Sequence, residues 1–323
     1  MKNLYEKISF SKNYKNAVVV VAVGKKLEKD WKNYSMPNLK KYCSINKINL
    51  ILIKKPFLEK KSIFYKSLAW HRLLVGDLIK KNIKTIQNIC LLDCDILANP
   101  FAPNIFKEYQ KNKIALISMH KNLPYNYKEN RKKISYYRKL FYNKKLPLDS
   151  MIHAGVSQKY SSNKLKIQKD YACIGVIVFN VKNHSDLMKK WFFKYKKGFF
   201  TTGGMQTILN FEMLNYNKIQ WLEYKFQALW ANEMAWRYPF LYKLKGKKNK
   251  IILDCVNFCL FENYFLHFAG GWYENDMWKM YKSFKDKTLL RSAKFFQEYL
   301  KKKITPKNYG RILPSNRTDR LKK

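Results

Sequence analysis

Two carboxylates, one residue apart, follow directly on an apolar run. Asp93 and Asp95 come immediately after residues 89–92, which read Ile-Cys-Leu-Leu and are typical of a buried strand in a parallel sheet. Because ligands of open α/β sheets bind outside the carboxyl ends of the strands, we expect both side chains at a binding site. Their hard oxygen atoms suit Mg²⁺ or Mn²⁺, which keep coordination positions for substrate phosphates. The spacing predicts a site for a divalent cation and a diphosphate; the alternative is a pair of turn or helix-capping aspartates.

A histidine followed by two glycines forms a second candidate. His267 comes after the strand-like residues 264–266, and Gly270 and Gly271 follow it closely. An imidazole at a strand end can supply a further metal ligand, which favours Mn²⁺ over Mg²⁺. The glycines allow a backbone to approach phosphate oxygens. Taken alone, His267 also fits a partly buried histidine that is satisfied by hydrogen bonds; its combination with the two aspartates predicts a three-residue metal site.

The third candidate combines a strand glycine with a glutamine at a helix start. Residues 171–180 form a predicted strand that contains Gly175, where a backbone can meet a ligand. Gln206 follows the Gly203-Gly204 turn and begins a predicted helix. Its amide can hydrogen-bond a sugar hydroxyl, or it can cap the helix or face solvent.

Strand and helix signals alternate along the chain and indicate what positions these residues. Predicted strands cover residues 17–23, 48–53, 89–92, 114–118, 173–179, 251–253 and 264–267. Predicted helices cover residues 29–46 with a break at Pro37, 66–81, 185–197, and a segment from the Gly203-Gly204 turn to residue 214. Such alternation predicts an α/β fold with a mostly parallel, doubly wound sheet.

The composition is strongly basic. The 323 residues carry 65 Lys+Arg against 22 Asp+Glu, a net charge of +43. This imbalance suggests nucleic acid, an anionic membrane surface or a polyanionic substrate as a partner. However, 57 of the basic residues are Lys and only 8 are Arg, and A/T-rich codons explain much of the lysine. Since bidentate readers of bases and phosphates are mostly Arg, we do not expect a nucleic-acid partner.

The apolar segments indicate a buried core and a reducing compartment. The hydrophobic fraction is 47%, yet no apolar run reaches the roughly 18 residues that span a bilayer. The run 17–23 is too short for a signal-peptide core and fits a first strand that ends at Gly24. Six cysteines lie in apolar stretches without a C-x-x-C pair, which indicates free buried thiols rather than zinc ligands. We therefore expect a cytoplasmic protein, with peripheral membrane contact as an open alternative.

From residue 17 to residue 282, the order of these motifs resembles that of the GT-A glycosyltransferases. It is similar to the glycogenin and lipopolysaccharide galactosyltransferase group, family 8 in the usual classification. The resemblance implies a GT-A fold and a metal-dependent, retaining transfer of a sugar from a nucleotide sugar, with UDP-sugar as the expected donor. It also implies that Asp93, Asp95 and His267 bind Mn²⁺ (or Mg²⁺) and the diphosphate. The implied acceptor is a saccharide, a lipid-linked glycan or a protein.

The resemblance assigns roles to several further residues. Gly270 and Gly271 would contact the diphosphate through their backbone. Gln206 would lie on the sugar face opposite the leaving group, and it is the expected catalytic residue together with Asp95. The nucleotide is expected against the end of the first strand, and the residues there are Ala22, Val23 and Gly24. Lys66, Trp70 and Arg72 are candidates for the same crevice, with the core as the favoured alternative for Trp70.

Three positions depart from the pattern of the family. Cys173 stands where the family has a sugar-contacting Asn, and Met205 stands where it has an Asp before the Gln. Tyr273 replaces the expected Lys, for which Lys279 is one candidate substitute. These departures leave the donor sugar open. Two alternatives to a glycosyltransferase are a nucleotidyltransferase that makes sugar nucleotides, although no Gly-rich nucleotide signature lies near Gly24, and a non-catalytic basic protein that binds nucleic acid or membranes.

The organisation predicted for the chain is one GT-A domain, residues 1–290, and a basic tail, residues 291–323. The tail carries eleven basic and two acidic residues, so it either contacts anionic lipid or is simply solvated. Residues 120–170, rich in Lys, Asn and Tyr, have no clear period and are expected to form an irregular loop or inserted subdomain, a candidate acceptor region. Four tryptophans are candidates for stacking on acceptor sugars, with the core as the alternative: Trp230, Trp236, Trp272 and Trp278.

Overall fold

The computed structural model of the protein describes residues 4–142, 154–196, 205–244, 250–280, 291 and 294. Strands and helices alternate along the described chain. The strands are β1 (Tyr5–Ser9), β2 (Asn16–Val21), β3 (Asn49–Ile53), β4 (Asn88–Leu92), β5 (Ile96–Ala98), β6 (Ile114–Ser118), β7 (Ala172–Asn180), β8 (Ile219–Trp221), β9 (Ala228–Leu229) and β10 (Phe265–His267). The α-helices are α1 (Lys25–Tyr34), α2 (Met36–Ile45), α3 (Leu68–His71), α4 (Val75–Asn82), α5 (Tyr127–Tyr142), α6 (Val156–Ser161), α7 (Val181–Lys194), α8 (Met205–Tyr216), α9 (Trp230–Arg237) and α10 (Lys250–Glu262).

A seven-stranded sheet in the order β1-β3-β2-β4-β7-β6-β8 forms the centre of the fold. β2 pairs in parallel with β3 and β4, and β6 pairs in parallel with β8. β7 lies antiparallel between β4 and β6, and β1 pairs antiparallel with β3 at the edge. Five strands therefore point in one direction, and the predicted α/β class with a mostly parallel sheet is confirmed.

Both faces of this sheet are covered, because successive side chains of a strand point to opposite sides. In β2, Ala17 and Val19 belong to one buried cluster, which also contains apolar residues of α4, α7 and α8. Val18 and Val20 belong to the other cluster, with residues of α1 and α2. Every residue of β3, β4 and β7 is buried. A strand that is buried on both faces has a continuous apolar sequence, and for this reason the three strands could be predicted from the sequence.

A smaller sheet in the order β5-β10-β9 extends the fold beyond β4. β10 pairs antiparallel with β5, so that His267 lies opposite Ile96, and in parallel with β9. One side of this sheet packs on the cluster that contains α1 and α2, and its Leu97 and Leu266 pack on a third cluster built around α5, α9 and α10. The small sheet therefore carries His267 to the place where Asp95 leads into β5.

Two predicted elements differ from the structure. The strand expected at residues 251–253 is wrong: these residues begin α10, whose buried Ile252, Val256 and Cys259 recur at helical spacing. The expected helix 66–81 is divided into α3, the 3₁₀ turn Arg72–Leu74 and α4. The region 120–170, expected to be an irregular loop or an inserted subdomain, contains α5 and α6 in its described part.

Other predictions fall partly or wholly outside the described residues. The Gly203-Gly204 turn lies outside them, and so does the basic tail except for Arg291 and Lys294. The extent of the domain, residues 1–290, stays a prediction. Within the described ranges, no helix combines the length and the apolar character that crossing a bilayer requires. All six cysteines are free thiols, and all but Cys94 are buried.

Candidate metal and substrate site

The structure brings together the three side chains predicted as metal ligands. His267 Nε2 lies 3.3 Å from Asp95 Oδ1 and 3.6 Å from Asp93 Oδ2, and one ligand atom from each residue lies within 4.8 Å of the others. A cation bound at about 2.1 Å keeps its ligand atoms about 3 to 4.2 Å apart. The two aspartate side chains are 33% and 26% exposed, whereas His267 is buried. The three atoms therefore fit a divalent cation that enters from the carboxylate side.

Backbone hydrogen bonds between different strands fix this arrangement. Asp93 N donates to the carbonyl of Gly175 in β7 (2.9 Å), and Phe268 N donates to the carbonyl of Asp95 (3.1 Å). The carboxylates thus follow β4 directly, and His267 ends the strand that pairs with β5. Since the main chain holds all three residues, the geometry of the cluster does not depend on long side chains.

Arg72 adds a buried positive charge behind the carboxylates. Its Nη1 lies 2.7 Å from Asp93 Oδ1, and its Nη2 donates to the Gly175 carbonyl (3.3 Å). Arg72 was predicted to face the nucleotide crevice, but its contacts are with Asp93 and β7. This pairing occupies one oxygen of Asp93 and leaves Oδ2 directed towards His267.

The charges of the cluster shift one another's protonation. Enclosure by the protein raises the pKa of Asp93, and the charges of Arg72 and His267 offset this only in part. Enclosure would also raise the pKa of Asp95, but the adjacent His267 outweighs this effect and lowers the pKa of that carboxyl below its usual value. Burial alone would lower the pKa of His267, yet the neighbouring Asp95 raises it well above its usual value. A cation and a proton would therefore compete for His267 Nε2.

Gly175 is required because two side chains pack against its backbone. A Cβ atom at this position would lie 2.3 Å from the side-chain amide of Gln227 and 2.3 Å from His267 Cε1. The sequence indicated close approach of a ligand here; in the structure, the imidazole of His267 and the amide of Gln227 make that approach.

Replacing Gly175 with Ala is expected to lower the free energy of unfolding by about 1–3 kcal/mol, because the added methyl group overpacks a buried site. Urea unfolding measures the loss. Gly271→Ala is the matched control, since a Cβ at position 271 would meet no atom within 4 Å. Equal stability of the Gly175→Ala variant and the wild type would contradict the close packing of His267 on β7.

A cavity of about 270 Å³ adjoins the cluster at His267. It contains three of the predicted site residues besides the histidine, namely Gln206, Gly270 and Gly271. Asn232, Arg131, Arg138 and Trp272 supply further polar and aromatic groups to its wall. Of the four candidate tryptophans, Trp272 lines this cavity, whereas Trp230 and Trp278 are buried in the third core cluster. The described part of the cavity wall offers hydrogen-bonding groups and an aromatic ring, which are features of small-molecule sites.

Gln206 is the predicted catalytic residue whose surroundings the structure defines best. It lies in the first turn of α8, and its Nε2 lies 3.2 Å from Met119 Sδ and 3.4 Å from the Ala172 carbonyl. These contacts place the amide against the amino end of β7, on the same cavity as His267.

The nucleotide-binding residues expected at the end of β2 lie at the same edge of the sheet as Asp93, because β2 and β4 are parallel. Ala22 is buried, and Gly24 has a φ of 111°, a conformation that favours glycine. Ala22, Val23 and Gly24 do not line the cavity beside His267, as far as the described residues define it.

Three other candidates have structural contacts instead. Lys66 is buried and donates to three backbone carbonyls, those of Phe64, Phe192 and Tyr195. Lys279 pairs with Asp276 at 2.6 Å. Trp70 is a core residue, so neither Lys66 nor Trp70 is available to a nucleotide.

The sequence matches no protein-family model, and its comparison with curated proteins finds no match. Several solved glycosyltransferase structures show a likeness in fold. One, involved in the glycosylation of the major capsid of PBCV-1, has a TM-score of 0.45 and 11% identity over 82% of this chain and 99% of its own. GlyE of Streptococcus pneumoniae TIGR4 has a TM-score of 0.44 and 16% identity over 90% of this chain and 67% of its own. An active-site mutant of LgtC has a TM-score of 0.43 and 12% identity over 90% of this chain and 98% of its own. Likeness at this level carries no inference about family or activity, so the function is argued from the site.

Proposed function

We propose that the chain is a metal-dependent glycosyltransferase that moves a sugar from a nucleotide-sugar donor, with UDP-sugar as the favoured class, to a saccharide, lipid-linked glycan or protein acceptor. The observation that carries this proposal is the convergence of Asp93, Asp95 and His267 beside a cavity that Gln206, Gly270 and Gly271 also line. The order of these residues along the chain resembles that of the GT-A glycosyltransferases.

The donor set supports Mn²⁺ as the preferred ion. Two carboxylate oxygens suit both Mg²⁺ and Mn²⁺, and the imidazole nitrogen of His267 favours Mn²⁺. When bound, the ion would act as a Lewis acid on the diphosphate leaving group. Asp93 and Asp95 would hold it, and Asp93 would offer its Oδ2 because Arg72 pairs with the other Asp93 oxygen.

The remaining residues would bind and orient the donor. Backbone at Gly270 and Gly271 would approach the diphosphate, since no Cβ obstructs it. Residues 22–24, at the carboxyl end of β2, would contact the nucleotide. The Gln206 amide would lie on the sugar face opposite the leaving group and stabilise positive charge at the anomeric carbon. Because an amide is a poor covalent nucleophile, front-face substitution with retention is favoured over a glycosyl-enzyme intermediate.

Release of nucleoside diphosphate from a panel of nucleotide sugars, with Mn²⁺ or with chelator, tests this proposal. We expect one donor to be turned over in the presence of Mn²⁺, with slow hydrolysis even without acceptor, and to raise the melting temperature of the protein. The anomeric configuration of the product then tests retention.

Adding nucleoside triphosphates with sugar phosphates, and a polyanion-binding measurement, separates the two alternatives. A nucleotidyltransferase would release pyrophosphate from a nucleoside triphosphate and a sugar phosphate. A non-catalytic basic protein would bind polyanions and turn over none of these substrates. Either result would replace the glycosyltransferase proposal.

A further inference from the structure

Gln227 is a buried polar residue at the junction of the two sheets, and no sequence pattern pointed to it. It directly precedes β9 and is 1% exposed. Its amide reaches β7 of the large sheet and His267 of β10 in the small sheet. Gln227 therefore lies between the strand that supports the carboxylates and the strand that ends in the imidazole.

The hydrogen bonds of this amide determine its orientation. With donors paired to acceptors throughout, Nε2 donates to the Cys173 carbonyl (2.9 Å), while Oε1 accepts from the backbone N–H groups of Gly175 (3.0 Å) and Val176 (3.2 Å). In that orientation Oε1 also lies 3.0 Å from His267 Nδ1. An oxygen at this position can only accept, so Nδ1 must carry a proton.

This contact fixes which nitrogen of His267 is free for a metal. With Nδ1 protonated and bound to Gln227, Nε2 faces Asp93 and Asp95 at 3.6 and 3.3 Å. The other polar neighbour of Nδ1, the Cys173 thiol, lies 3.7 Å away and is a weak acceptor. Gln227 is therefore the strong partner that holds the imidazole.

We propose that Gln227 is a positioning residue for the metal site: it holds His267 in the Nδ1-protonated form and directs Nε2 to the cation. Partners of this kind orient a ligand and raise its basicity, and their loss lowers metal affinity about 10- to 100-fold. The inference rests on the metal site of the proposed function, but its test does not depend on a donor or on catalysis.

The Mn²⁺ affinity of two variants at position 227 tests the proposal. Gln227→Leu removes the acceptor and is expected to weaken Mn²⁺ binding about 10- to 100-fold by calorimetry. Gln227→Glu keeps an acceptor for Nδ1–H and is expected to retain most of the affinity, although it loses the donor to the Cys173 carbonyl. Gln220→Leu is the matched control, because Gln220 makes its two hydrogen bonds to the backbone of Gln110 and Glu108, in a different part of the fold.

A second measurement determines which nitrogen of the His267 imidazole is protonated. In ¹⁵N-histidine spectra of the protein with Mg²⁺, the His267 signal, assigned by its loss in a His267→Gln variant, is expected to show a protonated Nδ1. The chain has five histidines, so the assignment is tractable. Melting temperatures in chelator separate a folding defect of either variant from a loss of metal affinity.

Unchanged Mn²⁺ affinity in a folded Gln227→Leu variant, or an unprotonated Nδ1, would overturn the role of Gln227. A wild-type protein that binds no Mn²⁺ would instead contradict the metal site of the proposed function. In that case the metal-positioning role falls with it, and the protonation of Nδ1, measured where His267 is neutral, tests only whether Gln227 holds that nitrogen protonated.

Discussion

Replacing Asp93 and Asp95 together with Asn is expected to reduce Mn²⁺-dependent release of nucleoside diphosphate by about 10³-fold. The two carboxylates supply two of the three ligand atoms of the candidate metal site and its negative charge. Asn keeps the shape of each side chain but offers a neutral oxygen, which binds a hard cation more weakly. A loss of about 4 kcal/mol of transition-state stabilisation, within the several kcal/mol that a Lewis acid supplies, corresponds to about that factor in rate.

The same double variant also removes the partner of a buried charge. Arg72 is buried and pairs with Asp93 at 2.7 Å, so Asn at position 93 leaves its guanidinium with a neutral neighbour. Breaking a buried pair destabilises a fold. The melting temperature of the variant must therefore be measured beside its turnover, and turnover must be assayed below that temperature.

A paired control isolates the effect of the site. Asp77→Asn together with Asp186→Asn removes the same number of negative charges, but from residues that pair with Lys81, Lys189 and Lys80. This control is expected to keep full turnover. Wild-type turnover in a folded Asp93→Asn, Asp95→Asn protein would remove the metal site from the mechanism, and with it the main support for a glycosyltransferase.

The position of the two carboxylates could be predicted from the sequence because it depends on a local pattern. The run that forms β4 is continuous and apolar, as expected for a strand buried on both faces, and residues that follow such a strand lie at a sheet edge. The helix break at Pro37 was equally local: α1 ends at Tyr34 and α2 begins at Met36.

Contacts between segments that are distant in sequence could not be predicted from such local patterns. No periodicity marks Gln227, since the strand after it has two residues, and its role follows only from the approach of β7 and β10. His267 was predicted as a third ligand from its position at a strand end, and the resemblance gave it the same role, but spacing along the chain does not show that it lies beside the aspartates. A stretch of three apolar residues, such as 251–253, fits a strand and a helix equally well. The helix forms because α10 packs its apolar side chains in the third core cluster.

The ion pair of Arg138 and Glu274 is expected to be the most costly to break among the pairs that frame the cavity. Both side chains are fully buried, and Glu274 Oε1 lies 2.7 Å from Arg138 Nε and 2.6 Å from its Nη2. The guanidinium also lies 4.5 Å from the ring centre of Trp272. The pair joins α5 to the segment that follows β10, so it holds two walls of the cavity together.

Glu274→Gln is expected to lower the free energy of unfolding by about 3–5 kcal/mol, because it leaves a buried guanidinium without a countercharge. Replacing both residues with Leu should cost less than this, since no charge then remains buried. Glu129→Gln is the control, because Glu129 and Lys132 form an exposed pair in α5, the helix that contains Arg138. Such exposed pairs contribute about 0–1 kcal/mol to the free energy of unfolding. Urea unfolding of the three variants measures these differences. If Glu274→Gln were no more costly than Glu129→Gln, the buried pair would not be what holds α5 against the cavity.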